Sequence, residues 1–260
     1  MPCDTLKGVS KLSEPIAFCF SGGKDSALAL QEIQRRGEYR VVKLVTTVTD
    51  AYDRVSMHGV RRTLLRRQAK SIGLPLLEVV VPPESSNAIY EQEMGKAFSC
   101  IHDKGIRRVA FGDIFLEDLR DYRERQLAAS GLNCLFPLWK KQTQSLARTF
   151  VDEGFCAVTV CICSRVLDKS FAGRRFDAKF LYDLPNGVDP CGENGEFHTF
   201  VFDGPIFSQP IEFTGGTVVE RDGFFFYDLV PETCNKTKQE TKTRQSCSKQ
   251  SNKYTKEDMR

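Results

Sequence analysis

Two short segments hold the residue types that could do chemistry. The first is Ser21-Gly22-Gly23-Lys24-Asp25-Ser26. Two adjacent glycines let a backbone approach an anion closely, and the unpaired N–H groups of a helix start supply donors. Ser21 and Ser26 add hydroxyl donors, and Lys24 adds positive charge. Asp25 would repel a bare phosphate, so it either helps hold a metal ion such as Mg²⁺ or caps the helix. The second segment is Gly192-Glu193-Asn194-Gly195-Glu196-Phe197-His198-Thr199. A glycine-bounded loop with two carboxylates suits a cationic or amine-bearing ligand, or Mg²⁺. Its structural alternative is a polar turn leading into a strand.

Position gives the first segment its meaning. An apolar strand over residues 16–20 precedes it and a helix over 25–36, ended by Gly37, follows it. Further strands are predicted at 41–48, 76–81 and 107–111. Helices are predicted at 59–71 (closed by Gly73), 87–104 and 119–129 (stopped by Gly131). Strands alternating with helices imply a parallel sheet covered on both faces. In such sheets ligands bind at the carboxyl ends of strands, where helix N-termini point outward. After Pro137-Leu138-Trp139 the pattern changes. A helix at 143–153 and a strand at 157–163 are followed by a polar stretch reaching Gly195. Then come β segments at 198–202, 211–219 and 224–229, the last two joined by the hairpin turn Arg221-Asp222-Gly223. The expected organisation is an N-terminal extension (1–13), a parallel-sheet domain (14–135), a smaller α+β domain (136–231) and a polar tail (232–260).

The chain of 260 residues carries 37 basic and 34 acidic residues, a balance that argues against a nucleic-acid binder on charge alone. The tail is mostly Lys, Gln, Thr and Ser, too polar to offset its ordering entropy, and is read as disordered. No stretch approaches the roughly 20 apolar residues of a bilayer span, and the N-terminus lacks the apolar run of a secretory signal. Ten cysteines include no Cys-x-x-Cys pair. Cys19, Cys134, Cys156, Cys161 and Cys163 fall in apolar, strand-like stretches, as buried reduced thiols of a cytoplasmic protein do.

The complete Ser-Gly-Gly-Lys-Asp-Ser string between a strand and a helix resembles the PP-loop of the N-type ATP pyrophosphatases. It is not a Walker A loop, because Gly-x-x-x-x-Gly-Lys-Ser/Thr is absent. Pro137-Leu138-Trp139, Gly173-Arg174, the double-Glu segment and Asp203-Gly204-Pro205-Ile206-Phe207 narrow this further. Together they look like the diphthine–ammonia ligase family, over about residues 14–215. Its members carry a Gly-Glu-Gly-Gly-Glu segment shortly before an Asp-x-Pro-Leu-Phe segment.

The resemblance implies a five-stranded parallel sheet of the adenine nucleotide alpha-hydrolase type, ATP with Mg²⁺, and cleavage between the α- and β-phosphates. Ser21, Gly22, Gly23, Lys24, Asp25 and Ser26 would bind the phosphates, with Lys24 and Asp25 at the chemistry and Asp25 at the metal. Adenine would lie against the end of the second strand, near Thr47. Asp113, in Gly112-Asp113-Ile114, would face the nucleotide. Arg123 or Arg125 would neutralise pyrophosphate, unless both lie on a solvated helix face. Gly192, Glu193 and Glu196 would line the acceptor side, with Glu193 or Glu196 binding ammonium and taking its proton. Here Asn194 replaces a Gly, His198 replaces a Glu, and Arg123 stands where Gln is usual. Met57 and His58 fit a family loop, so His58 and His198 could both face the acceptor. His102 reads as structural. The expected reaction adenylates a carboxylate, on protein-bound diphthine or a small acid, and transfers ammonia to it. Rival readings are an RNA-modifying PP-loop enzyme of the tRNA thiolase or lysidine synthetase kind, and a non-catalytic nucleotide sensor. The oligomeric state is not legible.

Overall fold

The computed structural model of the protein describes residues 13–50, 53–55, 58–83 and 85–232. The readings made above for Met57, for the first twelve residues and for the tail beyond 232 lie outside them. The first half contains β1 (Glu14–Cys19), α1 (Lys24–Arg36), β2 (Tyr39–Thr49), β3 (Arg54–Val55), α2 (Arg62–Ile72), β4 (Leu76–Val81), α3 (Asn87–Asp103), β5 (Arg108–Ala110), α4 (Glu117–Ala128) and β6 (Asn133–Leu135). Five of the strands run parallel in the order β4-β2-β1-β5-β6, as expected. The short β3 adds an antiparallel pair to the end of β2.

The period of two along β1 divides the interior. Ile16, Phe18 and Phe20 enter one core with Leu28, Leu30 and Leu64. Ala17 enters a second core with Met94, Phe98 and Leu127, on the opposite face of the sheet. The helix α1 follows from its buried run Ala27, Leu28, Ala29, Leu30 and Ile33, and it ends where Gly37 turns left-handed at φ 67°. One boundary moves. The helix expected from residue 59 starts at Arg62, because Gly59 also has a positive φ and the Val55 N–H bonds back to Val60 O at 2.8 Å. The three-residue β6, with Asn133 exposed, escaped the sequence reading because it is too short to show a period.

The second half adds α5 (Thr143–Asp152), β7 (Cys156–Cys163), α6 (Ala178–Asp183), β8 (Phe197–Asp203), β9 (Phe213–Arg221) and β10 (Phe224–Pro231). Its strands form an antiparallel sheet in the order β8-β7-β10-β9. All eight residues of β7 are buried, which explains its unbroken apolar sequence. The Asp222-Gly223 turn has φ of 53° and 79°, the paired positive values of a tight hairpin. The stretch read as polar contains α6 and three buried phenylalanines, Phe171, Phe176 and Phe180. Phe180 meets Phe171 and Phe197 edge-on at 5.6 and 5.3 Å between ring centres. One continuous apolar core, from Ile16 to Leu229, spans both sheets.

This packing gives a direct stability test. Phe180 is fully buried, so Phe180→Ala should cost about 3–5 kcal/mol. Urea unfolding of the two proteins checks it. A loss below about 1 kcal/mol would mean that this aromatic cluster does not hold the sheets together.

Candidate functional site

The glycine-rich loop of residues 21–26 is held from both sheets. Gly22, at φ 81°, turns the chain out of β1, and its carbonyl accepts from Val201 N of β8 at 3.0 Å and from Gln68 Nε2 of α2 at 2.9 Å. The next contact is Lys24 N donating to Thr199 Oγ1 at 3.0 Å. Ser26 Oγ donates to Gly23 O at 2.9 Å, and Ser21 Oγ lies 3.2 Å from Ser26 Oγ. The glycines are needed for space as well as for φ. A Cβ on Gly22 would fall 2.5 Å from Gln68 Oε1, and one on Gly23 would fall 3.2 Å from Thr199 O. Gly112, after β5, lets that loop approach the α1 N-terminus, since a Cβ there would be 3.0 Å from Ser26 N.

The loop opens into a cavity of about 510 Å³ at the carboxyl ends of β1 and β2. Ser21, Gly23, Lys24, Asp25 and Ser26 form its floor, and Thr46 and Thr47 end one side. Asp113, Arg123, Gly192, Glu193, His58 and His198 complete the walls. Lys24 is buried, with Nζ bonded to Cys191 O and to Asp25 Oδ2 at 2.7 Å, and it faces the rings of Phe197 and Phe176 at 5.3 and 5.8 Å. Burial alone would push the Lys24 ammonium down, but the Asp25 carboxylate outweighs it and holds the proton in place. Arg123 grips Asp113 with two bonds, Nε–Oδ2 at 2.5 Å and Nη2–Oδ1 at 3.2 Å, and covers the Phe111 ring at 4.4 Å. Burial works against the Arg123 charge, and Asp113 restores it.

Glu193 is different. Its Oε1 accepts from Ile114 N at 2.7 Å and Phe115 N at 3.4 Å, and among the described residues it forms no ion pair. Burial raises its carboxyl to about 7, despite the opposing pull of those N–H groups. The His58 and His198 rings lie with centres 4.5 Å apart and planes tilted by 38°. Burial, then His58 and Lys24, hold His198 well below the usual imidazole range.

The structure does not bring every expected residue to the cavity. Arg125 is exposed on α4, facing solvent, so Arg123 alone reaches the wall. Glu196 is turned into its own loop, where Oε1 accepts from Asp189 N at 3.1 Å and Asn194 Nδ2 at 3.0 Å. It braces the loop and does not line the cavity. Asp25 is engaged by Lys24, and no group of three or more His, Cys, Asp or Glu among the described residues converges on a metal position. Gln68, Cys191 and Thr199 belong to the site but went unread. Gln68 and Thr199 bond to backbone groups of the loop and Cys191 offers its own backbone carbonyl to Lys24, and nothing in a residue's own type or spacing announces that. A second hollow, of about 390 Å³ between α1 and α5, is lined by charges already paired, such as Glu32 with Arg35, Arg36 and Lys141.

With this geometry in view, comparison with known proteins is specific. Residues 15–134 match the diphthamide synthase N-terminal domain, and residues 142–229 match the diphthamide synthase C-terminal domain. A fission yeast (Schizosaccharomyces pombe) protein named diphthine–ammonia ligase is 26% identical over 239 residues, 85% of this chain and 39% of that protein. Mouse and human proteins of the same name are 24% and 23% identical, over 75% and 78% of this chain and 81% and 84% of their own lengths. The chain thus spans well under half of the yeast relative and most of the mammalian ones.

Two outcomes test the site as built. Gly22→Ala places a methyl group against Gln68 at a positive φ, and should cost about 1–3 kcal/mol in urea unfolding. Glu193 is raised in the folded state from 4.5 to about 7, so its contribution to stability is full below pH 4.5 and is lost as pH rises through 7. Glu193→Gln lacks that titration. The variant should therefore gain on the parent protein between pH 4.5 and pH 8, and parallel stability curves would refute the buried-carboxyl assignment.

Proposed function

This chain belongs to the diphthamide synthase family, and on that premise we propose that it is an ATP-dependent ligase that turns a carboxylate into an amide with ammonia. The carrying observation is the phosphate loop facing Glu193 across one cavity. The relatives named diphthine–ammonia ligase make the carboxylate of protein-bound diphthine the first acceptor to test.

The triphosphate lies over Gly22, Gly23 and the first turn of α1, with Ser21 and Ser26 as hydroxyl donors. The adenine lies toward Thr46 and Thr47, whose backbone closes that end of the cavity. An acceptor carboxylate oxygen attacks the α-phosphorus, the bond to the β-phosphate oxygen breaks, and pyrophosphate leaves beside Arg123. Ammonia then attacks the acyl carbon, AMP departs, and one proton is released. Glu193 is the group matched to that proton. Its proton affinity near neutrality lets it take that proton from the nitrogen as it bonds to the acyl carbon, without being permanently ionised. Lys24 supplies fixed charge behind the loop, where it stabilises the transferring phosphate without reorganising. A magnesium ion would supply charge neutralisation for the triphosphate and would arrive with it.

The thiolase alternative needs a reactive thiol. Cys161 and Cys163 are buried in β7, and Cys19, the thiol on the cavity wall, is pushed up to about 12 by burial. Neither position suits sulfur relay, which favours the amide ligase.

The test is ATP turnover with ammonium and diphthine-bearing elongation factor, separating AMP and pyrophosphate from ADP and phosphate. AMP and pyrophosphate should appear only with acceptor. Lys24→Ala should lower the rate by about 10²–10³-fold. Glu193→Gln should slow amidation by about 10²–10⁴-fold and remove the rise in rate with pH near 7. Acceptor-independent ADP would overturn the proposal.

A further inference from the structure

The two neighbouring imidazoles reach the cavity from different elements. His198 stands on β8, beside Thr199, which holds the phosphate loop. His58 stands in the connection between β3 and α2, and its Nε2 would be 3.4 Å from a Cβ on Gly23. That connection is fastened to the second sheet as well as to the parallel sheet it comes from. Asp228 of β10 accepts from Arg54 Nη1 at 2.9 Å, Arg61 Nε at 3.1 Å and Arg61 Nη2 at 2.6 Å. The same Arg54 Nη1 donates to Gly59 O at 2.6 Å, immediately after His58. Gly59 packs so tightly on Phe226 of β10 that a Cβ would be 2.9 Å from its ring.

β10 is shaped for this contact. Its pairing with β9 shifts register between Tyr227 and Leu229, a bulge centred on Asp228. Bulges re-aim a side chain, and glycine inside a strand marks a close approach. Opposite the bulge stand Gly215 and Gly216. A Cβ on Gly215 would collide with the Tyr227 hydroxyl, and one on Gly216 would be 3.2 Å from the Asp228 Cβ.

We propose that Asp228 is a positioning residue: through Arg54 and Arg61 it holds His58 against His198, so that the second sheet sets the acceptor-facing wall of the cavity. The acceptor-facing sense of that wall rests on the ligase reading, whereas the clamp itself does not. Asp228 touches no reacting group. It acts by fixing the loop that carries His58.

The chain has three histidines, and His102 lies away from the cavity on α3, packed near Gly131. Imidazole NMR of the full chain therefore reports the clamp with an internal control. The groups facing His198 are His58 and Lys24, with Cys161 opposite it on β7. In Asp228→Asn the His58 and His198 signals should shift, and the His198 midpoint should rise toward the ordinary imidazole value as His58 withdraws. His102 should not move, and Asp228→Glu should restore the pattern. If Asp228→Asn fails to fold, Arg54→Gln takes its place, since Arg61 still holds Asp228; the same two signals should shift. Unchanged His58 and His198 signals in a folded variant would overturn the clamp.

This readout needs neither ATP nor acceptor, so it stands or falls apart from the ligase reading. With diphthine-bearing elongation factor as acceptor, KM for the acceptor should rise roughly ten- to hundredfold in Asp228→Asn. Affinity for a non-hydrolysable ATP analogue should stay unchanged. A parallel loss of analogue affinity would show that the clamp serves the phosphate loop, and would overturn its assignment to the acceptor side.

Discussion

The site depends on one docking contact, the seating of the glycine-rich loop of residues 21–26 on β8. Gly22 O is held by Val201 N and by Gln68, and Lys24 N is held by Thr199 Oγ1, so the loop behaves as an extra rung of the second sheet. A buried backbone polar group without a partner costs about as much as a lost hydrogen bond, so these contacts fix the loop's path. They also explain the glycines. Gly22 must adopt a positive φ beneath Gln68, and Gly23 must lie against Thr199 and His58. A loop at the end of β1 could cradle an anion unaided. Joined to β8, it shares a cavity with Glu193 and His198, which come from the other half of the chain.

That junction also sorts the charges. Asp25 is neutralised by Lys24 and Asp113 by Arg123, each through short bonds in poorly hydrated surroundings. Glu193 receives only backbone N–H groups. Burial then dominates its titration and places it near neutrality; burial raises the Asp25 carboxyl as well, against the pull of Lys24.

Much of this was legible in the sequence, for identifiable reasons. The alternation of apolar strands and amphipathic helices gave the parallel sheet, and Ser21 to Ser26 gave the cradle, because both are local patterns. Glu193 and His198 were found from their segment, and Asp222-Gly223 marked its hairpin. What remained hidden is set by long-range contacts. Glu196 differs from Glu193 only in which way its loop turns, and Asn194 and Asp189 decide that. Arg125 and Arg123 share a helix, yet only Arg123 meets Asp113. Gln68, Cys191 and Asp228 act on residues 46, 167 and 174 positions away, respectively, beyond any spacing rule. Gly215-Gly216 within a strand was the one local sign of the Asp228 bulge.

The central claim is that the acceptor carboxylate becomes bonded to the α-phosphorus in this cavity. The most direct measurement labels that carboxylate with ¹⁸O in diphthine-bearing elongation factor and follows the label through one turnover with ATP and ammonium. The account requires one labelled oxygen in AMP and none in pyrophosphate, because the attacking oxygen leaves with the adenylate. Label in inorganic phosphate, accompanied by ADP, would contradict it.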